Sequence, residues 1–358
     1  MLAAIPAGAA TGTGRAMREE TTMTATTMRA VQATEEGGPF TPAVLPVPEP
    51  GPGQVRVRVH ACGVCGGDAI PRFGLMGTRH PRVPGHEIAG TVDALGPGVR
   101  AWSTGDRVGA GWHGGQCLTC ASCRRGDFAN CAERLITGAD YDGGYAEYAV
   151  IPQEVLARIP EGLSFEEAAP LMCAGVTVFN ALRNTGARPG DTVAVQGVGG
   201  LGHLGIQYAA AMGFRTVAVS RGRAKEEIAR SLGADDYVDG ADGGAGEALA
   251  AVGGARVVLA TVDDAAAQAD IAQGLQGNGE MMVIGTPHDP IPVSSLLLVT
   301  GRRSVRGWYS GHAKDSEEAM EFAALKGVRP MVEQYKLEEA EQAFAAMGNA
   351  RFRNVLVP

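Results

Sequence analysis

VAVQGVGGLGHLG, residues Val193–Gly205, runs from a short apolar strand through a glycine-rich turn into a helix-period segment. The glycines stand as Gly197-x-Gly199-x-x-Gly202, with Gly200 beside the second. That spacing alone is a weak signal, but at a strand–turn–helix junction it specifies a dinucleotide site. The first glycine permits the tight turn. The second lets the backbone approach a pyrophosphate, and the third packs helix on strand. Phosphates then meet the helix N-terminus, where free amides and the helix dipole favour negative charge.

The next strand, RTVAVS, ends at Ser220 and is followed by Arg221, Arg223 and Lys225. An NAD site has Asp or Glu there, accepting from the ribose 2′-hydroxyl. This strand end carries no carboxylate. Serine with cations suits a 2′-phosphate, which arginine grips bidentately. The sequence therefore predicts NADP(H) over NAD(H); the rival reading makes Arg221 and Arg223 a solvated loop face.

Further on, RAKEEIARSLG is an amphipathic helix, and DDYVD, RVVLATV and EMMVIGT are strands. Alternating strands and helices predict an α/β, doubly wound parallel sheet. From Met28 to about Thr177 the text changes. QVRVRVHAC alternates at period two, GHEIAGTVDALG and GDRVGAGW are short glycine-bounded strands, and helix signals are few. This half predicts a mostly β domain. The stretch from SEEAMEFAALKG to FRNVLVP mixes helices with a closing strand.

A chain of 358 residues fits two domains. Its net charge of −8 argues against nucleic-acid binding, which needs a basic surface. No apolar run approaches the roughly 18 residues needed to span a bilayer. Residues 1–27 are rich in Ala, Thr and Gly, lack an apolar signal-peptide core and are expected to be disordered. With no export signal, a cytoplasmic chain is expected, whose cysteines bind metal rather than form disulfides.

CLTCASCRRGDFANC places Cys117, Cys120, Cys123 and Cys131 at C-x2-C-x2-C-x7-C. Four thiolates so close suit a closed tetrahedral zinc site that holds a lobe together and has no free position for chemistry. A nucleic-acid zinc ribbon is the rival, disfavoured by the acidic charge. Cys65 in CGVCGGD, His86 in GHE and Cys173 in PLMCAG could form a second, open site. A catalytic zinc takes three protein ligands and keeps one position for water or substrate. Each residue alone is weak; beside the four-cysteine cage and the dinucleotide motif they are a set.

Together CGVCGGD, PRVPGHEIAGTV, the four-cysteine lobe, DGGYAEYAVIP, CAGVTVFNAL, GVGGLGHLGIQYA and SVRGWYSG resemble the zinc-dependent alcohol dehydrogenases of the medium-chain dehydrogenase/reductase superfamily, over about Met28 to Pro358. The nearest flavour is cinnamyl-alcohol-dehydrogenase-like and NADP-preferring. The resemblance implies a GroES-like catalytic domain from 28–176 and 312–358, with its zinc lobe at about 113–132. A Rossmann domain, 177–311, is inserted between. It implies two zincs per chain, with Cys65, His86 and Cys173 on the catalytic one. Glu87 is implied as the carboxylate behind the metal, able to ligate it, and Asp68 as the brace of His86. Thr177 is implied beside the nicotinamide, Gly285 at the carboxamide and Arg353 on the pyrophosphate. Trp112 falls where a large aromatic narrows the substrate pocket, ordinary packing being its alternative. The implied reaction is hydride transfer between NADP(H) and a primary or secondary alcohol or carbonyl, in a homodimer or homotetramer.

One departure stands out. The family's hydroxyl two residues after the first ligand, and its histidine three further on, are here Gly67 and Ile70; Gly66 replaces a basic residue. The usual proton relay is absent. The sequence-level hypothesis is that water in the space left by Gly67 carries the proton. The same departure keeps open reduction of C=N or C=C bonds, and a catalytically silent zinc- or cofactor-binding protein is the reading from another class.

Overall fold

The computed structural model describes residues 26–241, 244–348 and 352–358. The expected disordered extension lies outside the described residues, except at its end: Thr27 already opens a strand, Thr27–Ala33, paired antiparallel with Phe40–Pro46.

The alternating segments form a six-stranded parallel sheet. In space the order is Asp236–Asp239, Arg215–Ser220, Thr192–Gln196, Ala255–Ala260, Leu275–Val283 and Ser304–Gly307. In chain order that is third, second, first, fourth, fifth, sixth. The strand order reverses beside Thr192–Gln196, and ligands bind at such a switch point, outside the carboxyl ends of the strands. Thr192–Gln196 is buried throughout, as a parallel strand covered on both faces must be. Val195 and Leu259 share one core with Leu204 and Ile206 of the helix Gly202–Ala211.

The mostly β half is built around Gln54–Gly63. Across this sheet the order is Val332–Lys336, Arg353–Val357, Gln54–Gly63, Glu87–Leu95, Arg107–Ala110 and Leu156–Arg158, with Tyr148–Pro152 also pairing Gln54–Gly63. The closing strand thus lies beside an early one, Leu356 opposite Cys62. Gln54–Gly63 departs from the expected alternation because Arg56 is buried. Ion pairs to Asp93 at 2.6 Å and Glu49 at 3.0 Å compensate that charge.

Residues 165–183 also depart from the strand-and-loop expectation. They form the helix Phe165–Pro170, a π turn over Leu171–Gly175 and the helix Val176–Arg183. Ser164 accepts from the Glu167 amide, and the Glu167 carboxylate accepts from the Ser164 amide. This S-x-x-E capping box was the available sequence signal. Among the described residues no helix is long and apolar enough to cross a membrane.

Candidate active site

Three elements deliver the cluster. Cys65 follows the strand Gln54–Gly63, His86 and Glu87 stand at the start of Glu87–Leu95, and Cys173 sits in the π turn. Such wide turns often mark functional sites. One ligand atom each from Cys65, His86, Glu87 and Cys173 lies within 4.8 Å of all the others. The two sulfurs are 3.9 Å apart.

Asp68 organises this group. One carboxylate oxygen accepts from His86 Nδ1 at 3.0 Å; the other accepts from the Cys65 amide at 2.9 Å and the Tyr145 hydroxyl at 2.8 Å. Nδ1–H donation leaves the lone pair on His86 Nε2, which is buried and has no protein partner. A carboxylate behind an imidazole fixes its tautomer and ring orientation in this way. One Glu87 oxygen pairs with Arg353; the other is buried and unpartnered. Burial above all pushes the Glu87 pKa up to about 7, against the pull of Arg353. The Cys65 thiol is held well below its ordinary pKa, first by its contact with Cys173.

Two thiols, an imidazole nitrogen lacking a partner and a carboxylate oxygen lacking one fit a zinc ion. Cys117, Cys120, Cys123 and Cys131 form a second group within the same 4.8 Å span. Their sulfurs accept from backbone amides: Cys117 from Cys120 at 3.3 Å, Cys120 from Cys123 at 3.5 Å, Cys131 from Cys117 at 3.3 Å. Amides aimed at sulfur favour thiolates, and four sulfurs fill a tetrahedral shell.

The space beside Gly67 leaves no room for a side chain. A Cβ there would lie 2.8 Å from Trp112 Cζ3 and 2.9 Å from His86 Cε1. The Trp112 ring meets His86 edge-on, centroids 4.9 Å apart. A side chain there would have to displace the tryptophan or the histidine, while Gly67 itself is partly exposed.

On the cofactor side the glycines divide their work. Gly197 has φ +93°, which favours glycine at the turn. A Cβ on Gly202 would sit 1.7 Å from the Gly197 carbonyl oxygen, whereas one on Gly199 would meet nothing within 4 Å. Arg353 reaches the same turn, its Nη1 3.1 Å from where a Gly200 Cβ would be. It thus stands between Glu87 and the glycine loop. Gly285 lets two strand ends approach: a Cβ would fall 2.5 Å from Val262 O. Thr177 donates to Ser310 Oγ at 3.0 Å.

Ser220 closes its strand, with Arg221 exposed beyond it. Lys225 donates to Val198 O, inside the glycine turn, at 2.8 Å; Arg223 is turned to Glu226. A carboxylate unseen in the sequence reading, Asp239, lies opposite Ser220 on the neighbouring strand. It accepts from the amides of Gly222 and Ala241. Tyr145, Ser310 and Asp239 were all missed. Tyr145 lay inside the quoted DGGYAEYAVIP, but nothing local marks a tyrosine that will meet Asp68 across 77 residues.

Comparison with known proteins agrees with this geometry. The alcohol dehydrogenase GroES-like domain matches residues 51–161 and the zinc-binding dehydrogenase domain residues 200–324. Alcohol dehydrogenase notN of Aspergillus sp. (strain MF297-2) is 45% identical over 324 residues, covering 90% of this chain and 95% of that protein. Cinnamyl alcohol dehydrogenase 5 of Arabidopsis thaliana is 34% identical, covering 90% and 94%. The solved structure of a Sorghum bicolor cinnamyl alcohol dehydrogenase superposes with a TM-score of 0.83 at 30% identity, covering 92% and 97%. With two matching domain models and homology along nine-tenths of its length, the chain belongs to the zinc-binding alcohol dehydrogenases of the medium-chain dehydrogenase/reductase superfamily.

Proposed function

We propose that the chain is a zinc-dependent alcohol dehydrogenase working chiefly as an NADP(H)-linked aldehyde reductase. The observation that carries this reading is His86 Nε2, buried without a partner amid Cys65, Glu87 and Cys173. A zinc ion held there would supply Lewis acidity at a carbonyl or alcohol oxygen, and a bound nicotinamide the hydride. The protein's own groups do the positioning. Asp68 keeps the His86 lone pair on Nε2. Arg353 balances Glu87 and ties it to the glycine turn. Trp112 packs edge-on against His86, and Thr177 with Ser310 presents hydroxyls. Cys117, Cys120, Cys123 and Cys131 would hold a second zinc that stabilises their lobe. In this reading residues 28–176 and 312–358 form the catalytic domain and 177–311 the cofactor domain. The NADP(H) preference is supported by Ser220, exposed Arg221 and Lys225, with Asp239 already engaged by two amides. A homodimer or homotetramer is supported by the exposed edge strand Ser304–Gly307 and by Leu296 and Val299 in the preceding helix Ser295–Gly301, 69% and 75% exposed.

The test is zinc content with steady-state kinetics on aldehydes, enones and cyclic imines, using both cofactors. Two zincs per chain, aldehyde turnover and a higher kcat/KM with NADPH are expected; Ser220→Asp should move preference toward NADH. Equal or better values with NADH would remove the cofactor assignment. Turnover of enones or imines without aldehydes would favour the second reading, which the hydroxyl-free Gly67–Trp112 wall supports.

A further inference from the structure

A cavity of about 660 Å³ opens between the four-cysteine lobe and the segment after the last parallel strand. Phe128 and Arg134 line it from the lobe, and Trp308, Tyr309 and His312 from the opposite side, with His113 between. Two of its lining residues are chain neighbours of the candidate active site. His113 follows Trp112, whose ring rests on His86, and Tyr309 precedes Ser310, the partner of Thr177. Tyr309 is also close enough for Cys173 to contribute to its raised pKa, after burial.

The charges around this cavity do not balance. Arg183 is held by Asp315 and Glu318, and Arg306 faces Glu280 at 3.7 Å. Both Asp127 oxygens accept from Asn130 at 3.0 Å. Asp315 is further engaged by His312 at 3.4 Å. Arg134 alone among these cations has no carboxylate within 4.0 Å among the described residues. One Nη donates to the Ala129 carbonyl, and the buried Nε has no acceptor. Its guanidinium lies over the Tyr309 ring, 5.0 Å from the centroid. Burial first, with smaller contributions from His312 and Arg134, keeps the His113 pKa below its ordinary value against Gln116 and Asp315. A half-buried cation without a counter-charge is costly unless something brings one. The fork of a guanidinium matches a carboxylate in two parallel hydrogen bonds.

We propose that Arg134 is a specificity-determining residue that receives a carboxylate at the far end of the substrate. The favoured substrates are then acidic aromatic aldehydes, the ring lying among Phe128, Trp308 and Tyr309. This rests on the dehydrogenase reading above and names its substrate class.

The test compares 4-formylbenzoate and the longer 4-formylcinnamate with their methyl esters, which keep the shape and lose the charge. It uses the zinc-loaded enzyme, with Arg134→Met and Arg134→Lys beside the parent. Binding of terephthalate, followed by tryptophan fluorescence, gives a readout free of hydride transfer. The parent should prefer at least one acid over its ester by about tenfold or more in kcat/KM, in proportion to a charge-assisted bond. In Arg134→Met that ratio should fall to about one, with terephthalate affinity falling in step; Arg134→Lys should be intermediate. The ratio is internal to each variant, so a general loss of folding cannot imitate it. Turnover of esters and acids at equal kcat/KM in the parent overturns the proposal and leaves the dehydrogenase reading intact. An acid-to-ester ratio unchanged in Arg134→Met overturns it equally. Arg134-dependent terephthalate binding without turnover of any aldehyde supports the anion site while removing the aldehyde-reductase reading.

Discussion

Gly67 is not among the glycines with positive φ, so its missing side chain is a matter of volume rather than backbone conformation. Trp112 and His86 have taken the volume. Gly67→Ser should therefore act as overpacking, destabilising the protein by about 1–3 kcal/mol and loosening the seat of His86. Chelator competition should strip zinc from it faster than from the parent. Adding Trp112→Leu should recover most of the loss, since residues sharing one space couple strongly. Strictly additive effects in thermal melts and zinc retention would show that the two side chains do not compete. The sequence pointed to Gly67 as a departure and to Trp112 as a bulky neighbour of the site. It could not place them against each other, because contact across 45 residues of chain depends on the sheet between them. The same limit hid Tyr145 behind Asp68. Short-range features were legible: the four-cysteine lobe and the glycine turn each announce themselves within fifteen residues, whereas Cys65, His86 and Cys173 are far apart in the chain.

The helix Gly202–Ala211 carries its own pH response. His203 donates from Nδ1 to Gly199 O at 3.1 Å, accepts at Nε2 from the Met331 amide at 3.3 Å and stacks on Phe352. The fold thus holds one neutral tautomer, and burial lowers its pKa to about 4. The unfolded chain, with an ordinary histidine near 6.5, binds the proton first as pH falls. Folding stability should therefore be full above about pH 6.5 and decline toward pH 4, by roughly 3 kcal/mol from this residue. His203→Gln keeps a donor and an acceptor but cannot titrate. Urea midpoints should show a shallower slope over that range in the variant; an unchanged slope would assign the response elsewhere. At this scale the parallel sheet was readable because strands and helices alternate in short, glycine-punctuated units. The run 165–183 was not. Its helix Val176–Arg183 is buried at seven of eight positions, so no polar face reveals the helical period. The π turn holding Cys173 has no sequence signature, and only the Ser164–Glu167 box marks the start.

Across the whole molecule, the parallel sheet ends on an edge strand that is exposed among the described residues. Ser304–Gly307 is exposed at every residue, and Leu296 and Val299 of the preceding helix Ser295–Gly301 are exposed too. Open edges of this kind pair with another chain unless blocked. For the proposed homo-oligomer, Leu296→Lys with Val299→Glu should shift the sedimenting mass toward the 36.9 kDa monomer; an unchanged mass would remove this surface from the proposed interface. The sequence supplied the two architectures, but not how the mixed sheet closes. That depends on Arg353–Val357 lying beside Gln54–Gly63, where strands from opposite parts of the chain meet. The arrangement sets a timetable for synthesis. Glu87 and its partner Arg353 are separated by 266 residues. At the roughly 5–20 residues per second of a translating ribosome, Glu87 waits on the order of 10–50 s for its cation. Every strand of the parallel sheet is made in that interval. On the nascent chain, the parallel sheet can be complete while the mostly β half still lacks the strand that seals it.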